Sequence, residues 1–228
     1  MKNFRSIVCL VTIFAVTLFF ALRLDAQRLP PLKVAIDCSD APQGQEWAET
    51  AAVIAKEQYP VLVALLDSEG FIPADSMKIV IRNMPGVANA SRRQINISVD
   101  WITKNPGDLG MVVHELIHII QAYGRGGNRV DGWVTEGIAD YLRFFVYERN
   151  GEQTCRVNPD RHKYTDSYRV TGAFFNWIVL THDAGFIKRL NAACRNGTYS
   201  IDLFREYTGL TVDELWDGFI QSIRNKNS

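Results

Sequence analysis

Residues 111–123, MVVHELIHIIQAY, place two histidines and a glutamate inside an otherwise apolar run. The apolar residues bury such a helix and hold its polar face rigidly. His114 and His118 are four residues apart, so on a helix they stand about 40° apart around the axis, and both imidazoles can point at one ion. The competing interpretation is a core helix with two hydrogen-bonded histidines. It leaves Glu115 buried, which is costly unless the carboxylate has a metal or another partner nearby.

The spacing is the H-E-x-x-H pattern of zinc peptidases. Zn²⁺ binds neutral imidazole, and catalytic zinc sites use three protein ligands and a water. Glu115 adjoins His114 and therefore lies beside the metal, where it can take the proton of that water as general base. The layout with a third histidine is excluded, because Gln121 and Gly124 stand where it needs glycine and histidine. The pattern predicts a Zn²⁺ cofactor held in part by His114 and His118.

The next helical segment, WVTEGIADYLRFF, supplies two carboxylates four residues apart, Glu136 and Asp140. The turn GRGGN before it lets this helix fold back on the first one. We expect Glu136 to complete a His2Glu site, and Asp140 to accept a hydrogen bond from the outer nitrogen of a ligand histidine. Two alternatives stay open. Either Asp140 is the ligand and Glu136 lies outside, or the two form an acidic pair on a helix surface.

Residues 1–26 have the layout of a secretory signal peptide, with basic residues, an apolar run and then a polar tail. Cleavage is expected near Ala26–Gln27, which predicts a secreted or periplasmic protein; the alternative is an uncleaved anchor. The whole chain has 25 basic and 25 acidic residues. The removed segment holds three basic residues and one acidic residue, so the mature chain carries two more acidic than basic side chains. This argues against nucleic acid as a partner, because phosphate binding needs a basic surface.

The mature chain has three cysteines, Cys38, Cys155 and Cys194. An exported protein meets oxidising conditions, so one disulfide is possible and one cysteine is left over. A Cys155–Cys194 pair is slightly favoured, because both residues fall in loops or helix ends of the same half. The pairing otherwise stays open.

The strand candidates lie in the first half of the mature chain, and the second half is predicted to be mostly helical. The strands are KVAID, SMKIVIRNM and RQINISVDWI, while PGVANAS reads as a turn. A helical pattern from Gly44 to Phe71 contains Pro60, which is expected to kink or split it. Further helices are expected at about 108–123, 131–147, 166–182, 184–193 and 211–224, the last opening with the capping box TVDE. Strands before helices predict an α+β class, with residues 27–228 as one domain.

Several segments resemble one known family. They are VHELIHIIQAY, WVTEGIADYLR, SYRVTGAFFNWI, CSDAPQGQEWAETAAVIAKEQYP and GVANASRRQINISV. They look like the basic secretory protein family of plants and bacteria, a group of metallopeptidases. The resemblance implies a zincin-like fold of the glutamate-ligand type. In it, a small N-terminal mixed sheet with the active-site helices, residues 27–140, precedes a helical C-terminal part. It also implies an edge strand before the zinc helix that pairs with extended substrate, and QINISV is expected to be that strand.

A peptidase also needs a hydrogen-bond donor for the oxyanion that forms on the attacked carbonyl. Tyr168, Tyr164 and His162 are candidates, and Tyr168 is preferred because it matches the family's SY position at a helix start. The alternative for Tyr168 is a packing or capping role. His182 is expected to be structural, at the C-terminal end of a helix.

The leading hypothesis is a secreted zinc-dependent peptidase that hydrolyses peptide bonds with Glu115 as general base. Its partner is a peptide or protein substrate, without nucleic acid and without a membrane after signal cleavage, and the chain is expected to be a monomer. Two other hypotheses stay open. One is a secreted metal-containing binding protein without turnover, and the other is a zinc hydrolase acting on a glycoconjugate amide.

Overall fold

The computed structural model describes residues 30–124 and 129–226. The predicted signal peptide and most of the GRGGN turn lie outside these ranges. Within the described residues, no helix has the length and apolar character needed to cross a membrane. The strands are β1 (Lys33–Asp37), β2 (Ser76–Arg82), β3 (Ala88–Ser91) and β4 (Gln94–Ser98). The helices are α1 (Gln45–Leu66), α2 (Val99–Lys104), α3 (Gly110–Gln121), α4 (Gly132–Tyr141), α5 (Gly151–Thr154), α6 (Tyr168–Thr181), α7 (Phe186–Asn196), α8 (Leu203–Thr208) and α9 (Val212–Lys226).

The four strands form one mixed sheet in the order β1-β2-β4-β3. β1, β2 and β4 run parallel, and β3 runs antiparallel to β4. The sheet precedes a series of helices, so the predicted α+β class is confirmed.

The prediction for the edge strand was wrong. QINISV lies inside the sheet, because β4 is paired on one side with β2 and on the other with β3. The edge strand on this side of the sheet is β3, which falls in the PGVANAS segment that was interpreted as a turn. Alanine, asparagine and serine have little preference for strands, so β3 owes its conformation to pairing with β4 rather than to its own sequence.

α1 is a single helix of 22 residues that contains Pro60 and is not split by it. Its buried face carries small and aliphatic side chains, including Ala48, Ala51, Ala55 and Leu62, which belong to the same core as the inner residues of the sheet. Proline removes one backbone hydrogen bond from a helix. Burial of this face on both sides of Pro60 offsets that cost and keeps the helix continuous.

α3 carries the H-E-x-x-H pattern through the centre of the molecule. Every residue of α3 except His118 is buried. It contacts α1 on one side and β3 and β4 on another. On a third side it contacts α4 and the π-helix that follows it, Leu142–Tyr147. The polar face of α3 is therefore held between the sheet edge and the second half of the chain.

α4 and α6 pack very closely because glycines lie at their contact. A Cβ atom added at Gly137 would lie 2.3 Å from Cγ2 of Thr171. One added at Gly172 would lie 3.0 Å from the backbone nitrogen of Tyr141. After α4 the chain continues as a π-helix, Leu142–Tyr147. This packing brings the start of α6 to the same cleft as α3 and α4.

The second-half helices lie within a few residues of their predicted ranges. The predicted capping box before α9 is confirmed, since the amide of Glu214 donates to the hydroxyl of Thr211 and the amide of Thr211 donates to the carboxylate of Glu214. The short helices α2, α5 and α8 were not predicted, and the strand prediction for RQINISVDWI was wrong at its end, because β4 stops at Ser98 and α2 begins at Val99. The helices α2 and α8 are the longer of the three. Each has only six residues, too few for a helical pattern to be read from sequence.

The predicted Cys155–Cys194 disulfide is wrong. Cys38, Cys155 and Cys194 are all buried and free. The thiol of Cys155 lies 3.7 Å from the hydroxyl of Thr154 just after α5, while Cys194 lies within α7 and hydrogen-bonds with Tyr123. The two sulfur atoms therefore have different neighbours, and the fold forms without a bond between them.

Candidate metal centre

His114 and His118 project from one face of α3 toward α4, as their spacing predicts. Their Nε2 atoms lie 3.0 Å apart. Oε2 of Glu136, on the first turns of α4, lies 3.1 Å from Nε2 of His114 and 3.4 Å from Nε2 of His118. Three potential ligand atoms from two helices thus form a compact triangle.

The outer nitrogens of both rings have hydrogen-bond acceptors. Nδ1 of His114 lies 2.7 Å from a carboxylate oxygen of Asp140, one turn after Glu136. Nδ1 of His118 lies 2.7 Å from the side-chain oxygen of Gln121. The amide nitrogen of Gln121 donates to the carbonyl of Thr135, which assigns its oxygen to the histidine. Each Nδ1 therefore carries a proton, and in the neutral rings each Nε2 offers a lone pair.

This arrangement fits a metal ion. Two Nε2 atoms and a carboxylate oxygen face the same point, so they repel each other unless a cation or a proton lies between them. Donor atoms bound at about 2.0–2.1 Å to one tetrahedral ion lie about 3.3–3.4 Å apart. The triangle of 3.0 to 3.4 Å is close to that size. Two imidazoles and one carboxylate are a ligand set typical of catalytic zinc.

The pKa values of the triangle reflect the same crowding. Burial lowers the pKa of His114, but hydrogen bonds to Asp140 and Glu136 outweigh it and raise the pKa to about 9. Burial raises the pKa of Glu136, but hydrogen bonds from the two histidines outweigh it and lower the pKa to about 2. Without a metal, a proton on the imidazoles thus supplies positive charge between the ligands.

Glu115 lies beside the triangle without belonging to it. Its carboxylate lines the cleft, is 7 % exposed, and accepts a hydrogen bond from the backbone amide of Ala90 in β3. Burial raises the pKa of Glu115, and the nearby positive charge of His114 and His118 opposes this shift. A carboxylate held this way has a raised proton affinity and a fixed orientation, which suits a general base.

β3 presents a free backbone edge to the cleft. The amide of Ser98 donates to the carbonyl of Val87, so this pair is hydrogen-bonded across the strands. Hydrogen-bonded and non-bonded pairs alternate in an antiparallel ladder. The backbone groups of Ala88 and Ala90 therefore point away from β4, and both residues line the cleft. The Ala90 amide is the group that contacts Glu115.

Tyr168 lies on the opposite wall of the cleft. Its ring stacks on that of His114 at a centroid distance of 6.4 Å, and it is 56 % exposed. The negative charge of Glu136, with a smaller contribution from burial, raises the pKa of its hydroxyl. Ser167 has φ 69° and ψ −177°, and Tyr168 has φ 49°. Such a backbone is strained for residues other than glycine, and strain of this kind concentrates at functional sites.

The other two candidates for the oxyanion donor lie away from the cleft walls. The hydroxyl of Tyr164 donates to Asp213, and its ring packs against Trp133. Nδ1 of His162 accepts from the backbone amide of Asn158. Neither residue lines the cleft. His182 ends α6 and packs on Trp177, in line with the structural role expected for it.

A groove extends on both sides of the triangle. The main cleft is lined by both histidines, reaches Arg143 and Arg169, and has a volume of about 1000 Å³. On the His118 side a second cavity of about 660 Å³ continues past the end of β3 to Arg92. His118 and Tyr123 line both cavities. The ligand triangle therefore lies within a groove rather than at its end.

A family model described as a peptidase of plants and bacteria, abbreviated BSP, matches residues 34–219. The chain belongs to this family. The expected resemblance to the basic secretory protein family is confirmed, and the match includes every residue of the site described above. Comparisons with curated proteins and with solved structures found no match.

Sequence reasoning missed the role of one residue in this BSP site. Gln121 served only to exclude a third histidine, yet its side chain joins His118 to the first turn of α4 through Thr135. It is 2 % exposed. The available signal was its spacing, because a residue three positions after His118 lies on the same face of the helix.

Proposed function

We propose that this BSP chain is a secreted zinc-dependent endopeptidase. The observation that carries the proposal is the triangle of His114, His118 and Glu136, with protonated outer nitrogens, beside Glu115 and a free strand edge. Zn²⁺ is the ion that this ligand set suits best. When bound, it supplies a Lewis acid that polarises a carbonyl group and acidifies water.

The residues of the chain perform the remaining steps. The backbone groups of Ala88 and the backbone carbonyl of Ala90, on the unpaired edge of β3, pair with an extended peptide as an added strand. Glu115 takes a proton from the attacking water on its carboxylate and passes it to the amine nitrogen as the C–N bond breaks. The hydroxyl of Tyr168 donates a hydrogen bond to the carbonyl oxygen as negative charge develops there.

The groove favours cleavage within a chain over removal of terminal residues. Because space continues past both His114 and His118, a polypeptide can extend in both directions from the reacting bond. The proposal includes residues 1–26 as a signal peptide removed on export, residues 27–228 as a single zincin-like domain, a monomeric state, and a secreted or periplasmic location.

The test is cleavage of an unfolded protein whose two termini are chemically blocked. We expect the zinc-loaded protein to produce internal fragments, identified by mass spectrometry, and to contain about one zinc per chain. Glu115→Gln should keep the zinc and lose cleavage by at least a thousandfold, because the proton acceptor is gone. Glu152→Gln, an exposed residue of α5, is the matched control and should retain both.

Three results would contradict parts of the proposal. Wild-type protein that binds zinc but cleaves no unfolded protein would favour a binding protein without turnover, or action on a glycoconjugate amide. A wild-type protein that binds no zinc at neutral pH would contradict the proposed metal site itself. Unchanged cleavage by Glu115→Gln would assign the proton transfer to another group.

A further inference from the structure

Two arginines meet at one aromatic ring on the His114 side of the groove. Cζ of Arg143 lies 4.5 Å from the ring centroid of Phe144, and Cζ of Arg169 lies 5.0 Å from it. All three residues line the cleft, and Phe144 is 2 % exposed. A guanidinium over an aromatic face is attracted to the ring, so Phe144 helps to position both cations.

The charge of Arg143 is compensated. Its Nη2 lies 2.5 Å from a carboxylate oxygen of Asp108, and its Nε donates to Glu148 at 2.8 Å. All three side chains are at most 19 % exposed. A Cβ atom at Gly110, the first residue of α3, would collide with Glu148 at 1.7 Å. This network therefore packs against the start of α3. Arg143 accordingly stabilises the cleft wall.

Arg169 differs from Arg143 in having no such pairing. Among the residues that the structure describes, no carboxylate forms an ion pair with it, and its side chain is exposed at the cleft. Asp166, three residues earlier at the end of a short 3-10 helix, accepts from the backbone amide of Lys163. Arg169 directly follows Tyr168, so its guanidinium lies in the same cleft wall as the proposed oxyanion donor.

We propose that Arg169 selects substrates that carry an aspartate or glutamate side chain on the His114 side of the cleaved bond. A guanidinium binds a carboxylate through two parallel hydrogen bonds, and contact with Phe144 orients its plane. The groove continues past the ligand triangle, so the carboxylate is that of a side chain within a longer peptide. This inference rests on the proposed peptidase function and names its substrate class.

The experiment uses peptides of one sequence with both ends blocked. Glutamate, glutamine or lysine is placed in turn at each of three positions on either side of the cleaved bond. Binding is measured to zinc-loaded Glu115→Gln protein, and kcat/KM is measured with the wild type. We expect about a tenfold preference for glutamate over glutamine, on one side only, in both measurements.

Variants of Arg169 then test its role. In Arg169→Gln the glutamate to glutamine ratio should fall to about one, and in Arg169→Glu the lysine peptide should become the preferred one. Arg169→Lys should keep part of the preference, because the charge remains without the planar contact to Phe144. Arg161→Gln, an exposed arginine outside the groove, is the matched control and should keep the wild-type ratio.

The outcomes separate the two proposals. A wild type that cleaves nothing contradicts the peptidase function, while the binding ratios still report on Arg169. Cleavage without a glutamate preference, or a preference that survives in Arg169→Gln, overturns the inference alone. A preference that appears only with a free C-terminal carboxylate would also overturn it, and would assign the anion to a peptide end.

Discussion

At the scale of single residues, the proposed metal centre depends on how its candidate ligands, His114, His118 and Glu136, are oriented. Asp140 and Gln121 each accept the outer proton of one histidine, and each is buried. These contacts select the ring tautomer whose lone pair faces the metal position. Gln121 is the more informative of the two, because its amide also contacts the carbonyl just before Glu136.

Gln121→Leu should weaken zinc binding by about 10–100-fold, because the His118 ring loses its acceptor and its fixed tautomer. The measurement is zinc affinity by competition with a chromophoric chelator at one pH. Gln221→Leu, an exposed glutamine on α9, is the matched control. Affinity that is equal in Gln121→Leu and the wild type would mean that α3 alone orients His118.

At the scale of elements, the candidate site lies where the ends of several helices pack against the edge of a strand. Arg195 of α7 joins two of these ends, since its guanidinium donates to the carbonyl of Leu66 at the end of α1 and to that of Ile120 in the last turn of α3. Its planar fork satisfies carbonyl groups that helix ends leave without partners. α4 reaches the site by another route, through its close contact with α6 at Gly137.

Gly137→Ala should destabilise the fold by about 1–3 kcal/mol, since the added methyl group would overlap Thr171 and force α4 away from α6. It should also weaken zinc binding, because α4 carries Glu136. Gly132→Ala is the control, since a Cβ atom there meets nothing within 4 Å. Chemical denaturation measures the first effect. A Gly137→Ala protein as stable as Gly132→Ala would show that the helices adjust freely.

These local features explain which parts of the fold and of the candidate site could be predicted from the sequence alone. The i, i+4 spacing of His114 and His118 is a property of one helix, so their common direction was predictable. Glu136 was predictable as a candidate because only a short turn separates the two helices. The strand Ala88–Ser91 was not predictable from the sequence, since its conformation comes from pairing with β4. The backbone of Ser167, which turns Tyr168 toward His114, likewise follows from tertiary packing and not from a residue preference.

At the scale of the whole molecule, the proposed zinc ion would compete with a proton for one buried place. The pKa of His114 is raised from 6.5 to about 9 in the metal-free fold. Protonation of His114 therefore stabilises the fold when no metal is bound. This contribution is fully present below about pH 6.5 and is lost as the pH rises through about 9. A bound cation requires the neutral ring, so its stabilising effect changes with pH in the opposite direction.

The increase in unfolding temperature on adding zinc should therefore grow between pH 6.5 and pH 9. Differential scanning calorimetry with and without a fixed excess of zinc measures it at each pH. His162→Gln removes a histidine outside the cleft and should leave the trend unchanged. A zinc effect that is constant over this range would show that no proton leaves the site on binding.

The unpaired thiols have a consequence for how the chain is made and handled. Burial raises the pKa of Cys155 to about 11 and that of Cys194 to about 12, so both stay protonated and unreactive at neutral pH. Since Cys38, Cys155 and Cys194 are free in the described fold, we expect it to form without an oxidant or a disulfide isomerase acting on these residues. The recombinant chain is therefore expected to refold equally well with and without a non-chelating phosphine reductant.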